Sequence, residues 1–151
     1  MAPSTTDVCL SLGSNLGDRE KNLKEAISLL EAALETPVAA VSSLIETDAY
    51  GFESENRFLN CCVRFCVDGN LTPHSLLKIC KRIERELGRK DEGKVFDKHG
   101  SRIYRDRPID IDILCFGDVR MDTPELTIPH PGISKRDFVR IPLAEIMKIN
   151  E

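Results

Sequence analysis

The stretch Arg107-Pro108-Ile109-Asp110-Ile111-Asp112-Ile113-Leu114 constrains the fold more than any other. Ile109, Ile111 and Ile113 alternate with two aspartates, and a period of two is the pattern of a β-strand. Successive side chains on a strand point to opposite faces, so the isoleucines need a packed core on one side. Asp110 and Asp112 then share the other side, about 6–7 Å apart. Each carboxylate raises the pKa of the other, and their repulsion weakens the strand unless a counter-charge stands close. A hard divalent cation such as Mg²⁺ meets that need, because it binds carboxylate oxygens. A solvated acidic edge is the plain alternative, and at this point both readings stay open.

The rest of the chain supplies the partners such a strand needs. Val8-Cys9-Leu10-Ser11-Leu12 reads as a strand running into Gly13-Ser14-Asn15-Leu16-Gly17-Asp18. That turn lacks the Gly-Lys-Ser/Thr ending of a phosphate loop and reads as the lead-in to a helix cap. From Arg19 to Leu34, the residues Leu23, Ala26, Ile27, Leu30, Ala33 and Leu34 recur at helical spacing. Val38 to Thr47 reads as a strand. Phe58 to Val67 is the clearest strand, with Leu59, Cys61, Val63, Phe65 and Val67 toward the core and Phe58, Asn60, Cys62, Arg64 and Cys66 opposite. Thr72-Pro73 opens a second helix and Gly88 ends it. Glu84 lies at the edge of that helix's apolar stripe, where an acid either snorkels to water or has a polar task. Arg89 to Asp106 has no periodicity, and a loop this long is functional or disordered. The Asp-x-Asp strand follows, and a short helix around Pro142 to Lys148 closes the chain.

Strand, helix, strand, strand, helix, strand is the βαββαβ order of the α+β ferredoxin-like fold. Both helices would cover one face of an antiparallel sheet, leaving the other free to bring Phe58, Asn60, Asp110 and Asp112 together. No linker or internal repeat interrupts the sequence, so residues 1–151 read as a single domain.

Charge and cysteine usage exclude several classes. Twenty-five acidic residues against 21 basic ones give a net charge of −4, which offers no basic footprint for nucleic acid. No apolar run reaches the ~18–20 residues of a membrane span. Met1 to Asp7 has neither the basic segment nor the apolar run of a secretory leader. The six cysteines form no Cys-x-x-Cys pair and mostly sit in apolar segments. They read as core thiols rather than zinc ligands or a disulfide framework. A cytoplasmic protein is expected, taken as a monomer with small-molecule partners.

Five motifs occur in order: Gly13-Ser14-Asn15-Leu16-Gly17, Phe58-Leu59-Asn60, Arg107 through Leu114, Leu126-Thr127-Ile128-Pro129-His130 and Arg136-Asp137-Phe138. Together they resemble the 6-hydroxymethyl-7,8-dihydropterin pyrophosphokinase family of folate biosynthesis, from about Val8 to Ile146. The resemblance implies an enzyme that uses ATP and two Mg²⁺ ions to move a pyrophosphoryl group onto the pterin's hydroxymethyl oxygen, releasing AMP. It implies that Asp110 and Asp112 hold both metals. Phe58 and Phe138 would sandwich the pterin ring, with Asn60 and the region of Thr47 hydrogen-bonding its edge. Glu84, Tyr104, Ile113, Thr127, His130 and Arg136 would line the ATP site, and Arg89 and Arg107 would neutralise phosphate charge. Asp91 stands where a second loop arginine is usual, and Lys90, Lys94, Lys98, Arg102 or Arg105 would take over its contact. Which of them does so is left open. Val95, Phe96 and Ile103 are the only aliphatic or Phe anchors between Arg89 and Arg107, too little to offset the entropy of ordering the loop, so it is expected to be mobile and to close over bound ATP as a lid.

The chemistry of the residues agrees with this resemblance. Phosphoryl-type transfer depends on positioned charge, which metals and guanidinium groups supply. Two rival classes remain: a pterin- or nucleotide-binding module without catalysis, and an RNA-binding ferredoxin-like domain. The first has no use for a paired-aspartate metal site. The second needs aromatic residues amid basic ones on the sheet, where this chain places acids.

Overall fold

The computed structural model describes residues 5–48, 56–88, 95–96, 99, 102–103 and 108–147. In chain order the elements are β1 (Thr5–Ser14), α1 (Arg19–Leu34), β2 (Ala40–Val41), β3 (Ile45–Thr47), β4 (Phe58–Asp68) and α2 (Pro73–Glu86). They continue with β5 (Val95–Phe96), β6 (Arg102–Ile103), β7 (Asp110–Phe116), β8 (Met121–Asp122), β9 (Thr127–Ile128) and α3 (Asp137–Met147). Both long helices begin at capped turns. The Asp18 side chain accepts from the Lys21 N–H at 3.2 Å, and the Thr72 hydroxyl accepts from the Ser75 N–H at 3.2 Å.

The main sheet runs in the order β2-β4-β1-β7, with β3 also paired to β4, and every pairing in it is antiparallel. This is the ferredoxin-like α+β arrangement expected from the element order. The period-two patterns decide which face is buried. Val8, Leu10 and Leu12 of β1, Cys61, Val63 and Phe65 of β4, and Ile111 and Ile113 of β7 pack beneath Leu23 and Leu30 of α1 and Leu76 and Ile83 of α2. β1 is the central strand that ties β4 to the acidic strand β7, so its residues set the spacing between them.

Four details differ from the sequence reading. The strand expected over Val38 to Thr47 is broken into β2 and β3, because three residues, 42–44, oppose two of β4, 61–62. At that bulge the Ser42 hydroxyl, not a backbone carbonyl, accepts the Cys62 N–H at 2.8 Å. The closing helix starts at Asp137 rather than near Pro142, which lies inside it. Val139, Leu143 and Ile146 are buried by it. At about 1.5–3 kcal/mol each, their burial outweighs the ~3 kcal/mol cost of an interior proline. The second sheet face is not wholly bare, since α3 covers Cys9, Cys62 and Leu114 there. Finally, within the stretch expected to be aperiodic, β5 and β6 pair with each other. The readings of Arg89, Tyr104 and Arg107, and of the loop as a lid, lie outside the described residues.

Candidate active site

The register of β1 assembles the site. Gly13 stands opposite Asn60 of β4 on one side and Asp110 of β7 on the other. Ser11 likewise stands between Cys62 and Asp112. A Cβ placed on Gly13 would lie 3.1 Å from Asn60 Oδ1 and 3.4 Å from Phe58 Cδ1. Glycine therefore leaves an open floor beside Phe58 and Asn60, on the face that also carries the two aspartates. Phe138 is half-buried in the first turn of α3, packed against the apolar cluster on that face.

Asn60 is buried and its amide is committed in one direction. Its Nδ2 donates to Ile45 O at 3.1 Å and to Thr47 Oγ1 at 2.9 Å, which spends both amide protons. Among the described residues nothing donates to Oδ1, which is left as the acceptor above Gly13. Thr47 thus reaches the site through Asn60, whose orientation it fixes.

Asp112 is half-buried and its carboxyl is pushed up to about 8, first by burial and then by Asp110 and Glu84. Arg136 and Lys81 act in the opposite sense. A cation lodged between the aspartates would reverse the shift. Among the described residues, no group of three or more His, Cys, Asp or Glu side chains forms a metal site by itself. Two carboxylates completed by phosphate oxygens and water are, however, the donor set Mg²⁺ accepts. The acidic pair fits that ion.

On the far side of β7, His130 and Arg136 are held by one glycine. The Gly132 N–H donates to His130 Nδ1 at 2.9 Å, so the ring proton belongs on Nε2. A Cβ on Gly132 would stand 3.0 Å from Arg136 Nε and 3.1 Å from His130 Cε1. Burial and the neighbouring Arg136 hold His130 below its ordinary pKa, while Asp110 acts weakly the other way. His130 is therefore a neutral Nε2–H donor near neutral pH.

Glu84 is buried rather than snorkelling, and Oε2 accepts the Ile111 N–H at 2.8 Å on the free edge of β7. Lys81 Nζ lies 3.6 Å from its other oxygen. The Ile113 side chain points into the core beneath the helices, so only its backbone faces outward from the site edge. The Thr127 hydroxyl donates to Asp122 Oδ1 at 3.1 Å across the β8–β9 hairpin. Gly13, Lys81 and Gly132 were not singled out from the sequence. Gly13 lies in a motif that reads as a turn and counts toward the family resemblance without a task of its own, and Gly132 stands two residues after His130 in a stretch with no periodicity.

Comparison with known proteins identifies the family. The model of the 7,8-dihydro-6-hydroxymethylpterin-pyrophosphokinase family matches residues 9–148. A 2-amino-4-hydroxy-6-hydroxymethyldihydropteridine pyrophosphokinase of Porphyromonas gingivalis is 43% identical over 140 residues, 92% of this chain and 89% of the relative. That of Bacillus subtilis is 40% identical over 137 residues, 91% of this chain and 75% of the relative. The mitochondrial folate synthesis bifunctional protein of Pisum sativum is 40% identical over 141 residues, 93% of this chain but 25% of the relative. With the acidic strand, the Asn60 acceptor and the family match in agreement, the chain belongs to the 7,8-dihydro-6-hydroxymethylpterin pyrophosphokinase family.

Proposed function

We propose that the described site transfers pyrophosphate from ATP to the hydroxymethyl group of 6-hydroxymethyl-7,8-dihydropterin, as the family name indicates, in folate biosynthesis. The pterin hydroxymethyl oxygen bonds to the β-phosphorus of ATP and gives up its hydroxyl proton to solvent, the bond from that phosphorus to the α–β bridging oxygen breaks, and AMP leaves with that oxygen. The observation that carries the reading is the register at Gly13, which sets an amide acceptor and a carboxylate on either side of an open floor.

Each residue then has a task. Phe58 and Phe138 supply flat apolar surface for the pterin ring, and Asn60 Oδ1 accepts from its edge. Asp110 and Asp112 hold Mg²⁺, which when bound neutralises triphosphate charge and aligns the phosphoryl oxygens. The His130 Nε2–H and the Arg136 guanidinium face the phosphates, the latter suited to bidentate contact. The Ile113 backbone and the Thr127 region receive the nucleoside at the outer edge of β7. Glu84 acts from behind, holding the acidic strand in place. Arg89, Arg107 and Tyr104 complete the phosphate and nucleotide contacts. No helix among the described residues is long and apolar enough to cross a membrane, and a cytoplasmic monomer is the state we propose.

The test is direct. The protein is incubated with ATP, Mg²⁺ and 6-hydroxymethyl-7,8-dihydropterin, and nucleotides are separated by chromatography. AMP should appear in step with the pterin diphosphate. Stoichiometric ADP, or ATP turnover indifferent to the pterin, would reject the assignment.

A further inference from the structure

At the other end of β1 the sheet carries a second concave site. A half-open cavity of about 450 Å³ is lined by Asp7 and Cys9 of β1, Arg64 of β4, Cys115 of β7 and Met147 of α3, among others. Asp7 lies six residues along β1 from Gly13, which at ~3.3 Å per residue is roughly 20 Å from the pterin floor. None of the residues assigned to pyrophosphoryl transfer lines it.

Arg64 is the unusual member. It is only 9% exposed, and its Nε makes no hydrogen bond in the described structure. Among the described residues the one ion pair of its side chain is to Asp7 Oδ1 at 3.6 Å, a loose contact with a half-exposed carboxylate. A guanidinium carries five N–H donors in a fixed fork, and the one on Nε is buried and unspent. A buried donor left in that state is costly unless something else satisfies it.

The neighbouring thiols do not fill the role. Burial pushes Cys9 up to about 12 and raises Cys115, so both are neutral near pH 7. A bulge at Leu114, where Cys9 pairs with Cys115 but Leu10 with Ile113, turns Cys115 toward the same cluster as Cys9. Cys9 Sγ in turn lies 3.7 Å from Met147 Sδ. The cavity thus sets the soft side chains of Cys9, Cys115 and Met147 beside one cation, Arg64, and two carboxylates, Asp7 and Asp118, at a size within the usual range for small-molecule pockets.

We infer that this cavity is a second binding site, taking a small ligand with an anionic head for Arg64 and an apolar body against Cys9, Cys115 and Met147. Carboxylate and phosphate heads share the geometry Arg64 recognises. Asp7 is the competitor the ligand displaces.

The experiment uses amide-resolved ¹H–¹⁵N spectra of the full chain titrated with benzoate, phenyl phosphate and benzyl alcohol. One or both anions should shift the amides of Thr6, Cys115 and Gly117 saturably, the tighter one identifying the preferred head. Benzyl alcohol should bind at least tenfold more weakly. Arg64→Met keeps the apolar stem and should weaken anion binding at least tenfold. If that variant does not fold, Asp7→Asn serves instead and should tighten binding several-fold. No saturable shift at those amides, equal binding of the alcohol, undiminished binding by folded Arg64→Met, or no gain in Asp7→Asn would each overturn the site.

Discussion

Glu84 Oε2 accepts the backbone N–H of Ile111, the residue that separates the two aspartates of β7. β7 is an edge strand, so without Glu84 that N–H would be buried against α2 with no partner. Glu84→Ala should destabilise the fold by about 1–3 kcal/mol, the usual cost of a buried donor left unpaired. Glu84→Gln keeps an acceptor oxygen at the same reach and should recover most of that stability. Urea unfolding of the two variants separates them; equal losses would show that the charge of Glu84, not its acceptor, holds the strand.

Asp112→Asn nearly preserves shape while removing a metal-ligating charge. Turnover should fall by orders of magnitude, since lost metal stabilisation is worth several kcal/mol and ~1.4 kcal/mol is tenfold in rate. Stability should move in the other direction. In the metal-free fold Asp112 keeps its proton up to about pH 8, whereas an unfolded aspartate releases it near ~3.9. Between those limits the folded form binds more protons, so stability falls as pH rises across that window. Melting curves in chelator from pH 4 to 9 should show this decline in the wild type and a flatter profile in Asp112→Asn.

Gly13→Ala places a methyl group where Asn60 Oδ1 would be 3.1 Å away and Phe58 Cδ1 3.4 Å away. Asn60 is not a free chain end, because Thr47 and Ile45 hold it through its amide. Pterin affinity should drop at least tenfold with ATP affinity little changed. Calorimetry with each substrate decides, and an unchanged pterin constant would remove Gly13 from the floor of the slot.

Phe138→Ala should weaken pterin binding by roughly 1–3 kcal/mol, as loss of a stacking partner does. ATP binding should change far less. Equal losses for both ligands would mean that the ring supports the packing of α3 rather than the pterin.

The acidic strand, both long helices and the face assignment of β4 are legible because each rests on local periodicity. Leu23, Ala26 and Leu30 fix α1, and the alternation from Phe58 onward fixes β4. What escaped depends on partners distant in sequence. The break between β2 and β3 arises where a Ser42 hydroxyl substitutes in the ladder of β4. The start of α3 is hidden by Pro142, which resembles a helix opening until the burial of Val139 on the sheet is known. The two tasks considered for Glu84 could not be separated while its partner lay 27 residues away on another element. Gly132 carried no signal at all, since its value lies in room left for His130 and Arg136.

The distribution of the thiols has a practical consequence. Burial pushes Cys61 and Cys62 up to about 12 and raises Cys80, and it does the same to Cys9. The thiolate is the reactive form, so these side chains resist maleimides and alkylating agents while the fold is intact. Burial raises the half-buried Cys115 as well, so Cys66, exposed near the end of β4, is left as the natural attachment point. A fluorophore or spin label could be placed there on the unaltered sequence. It would report on the sheet from the end remote from Phe58, without a cysteine-free background having to be built first.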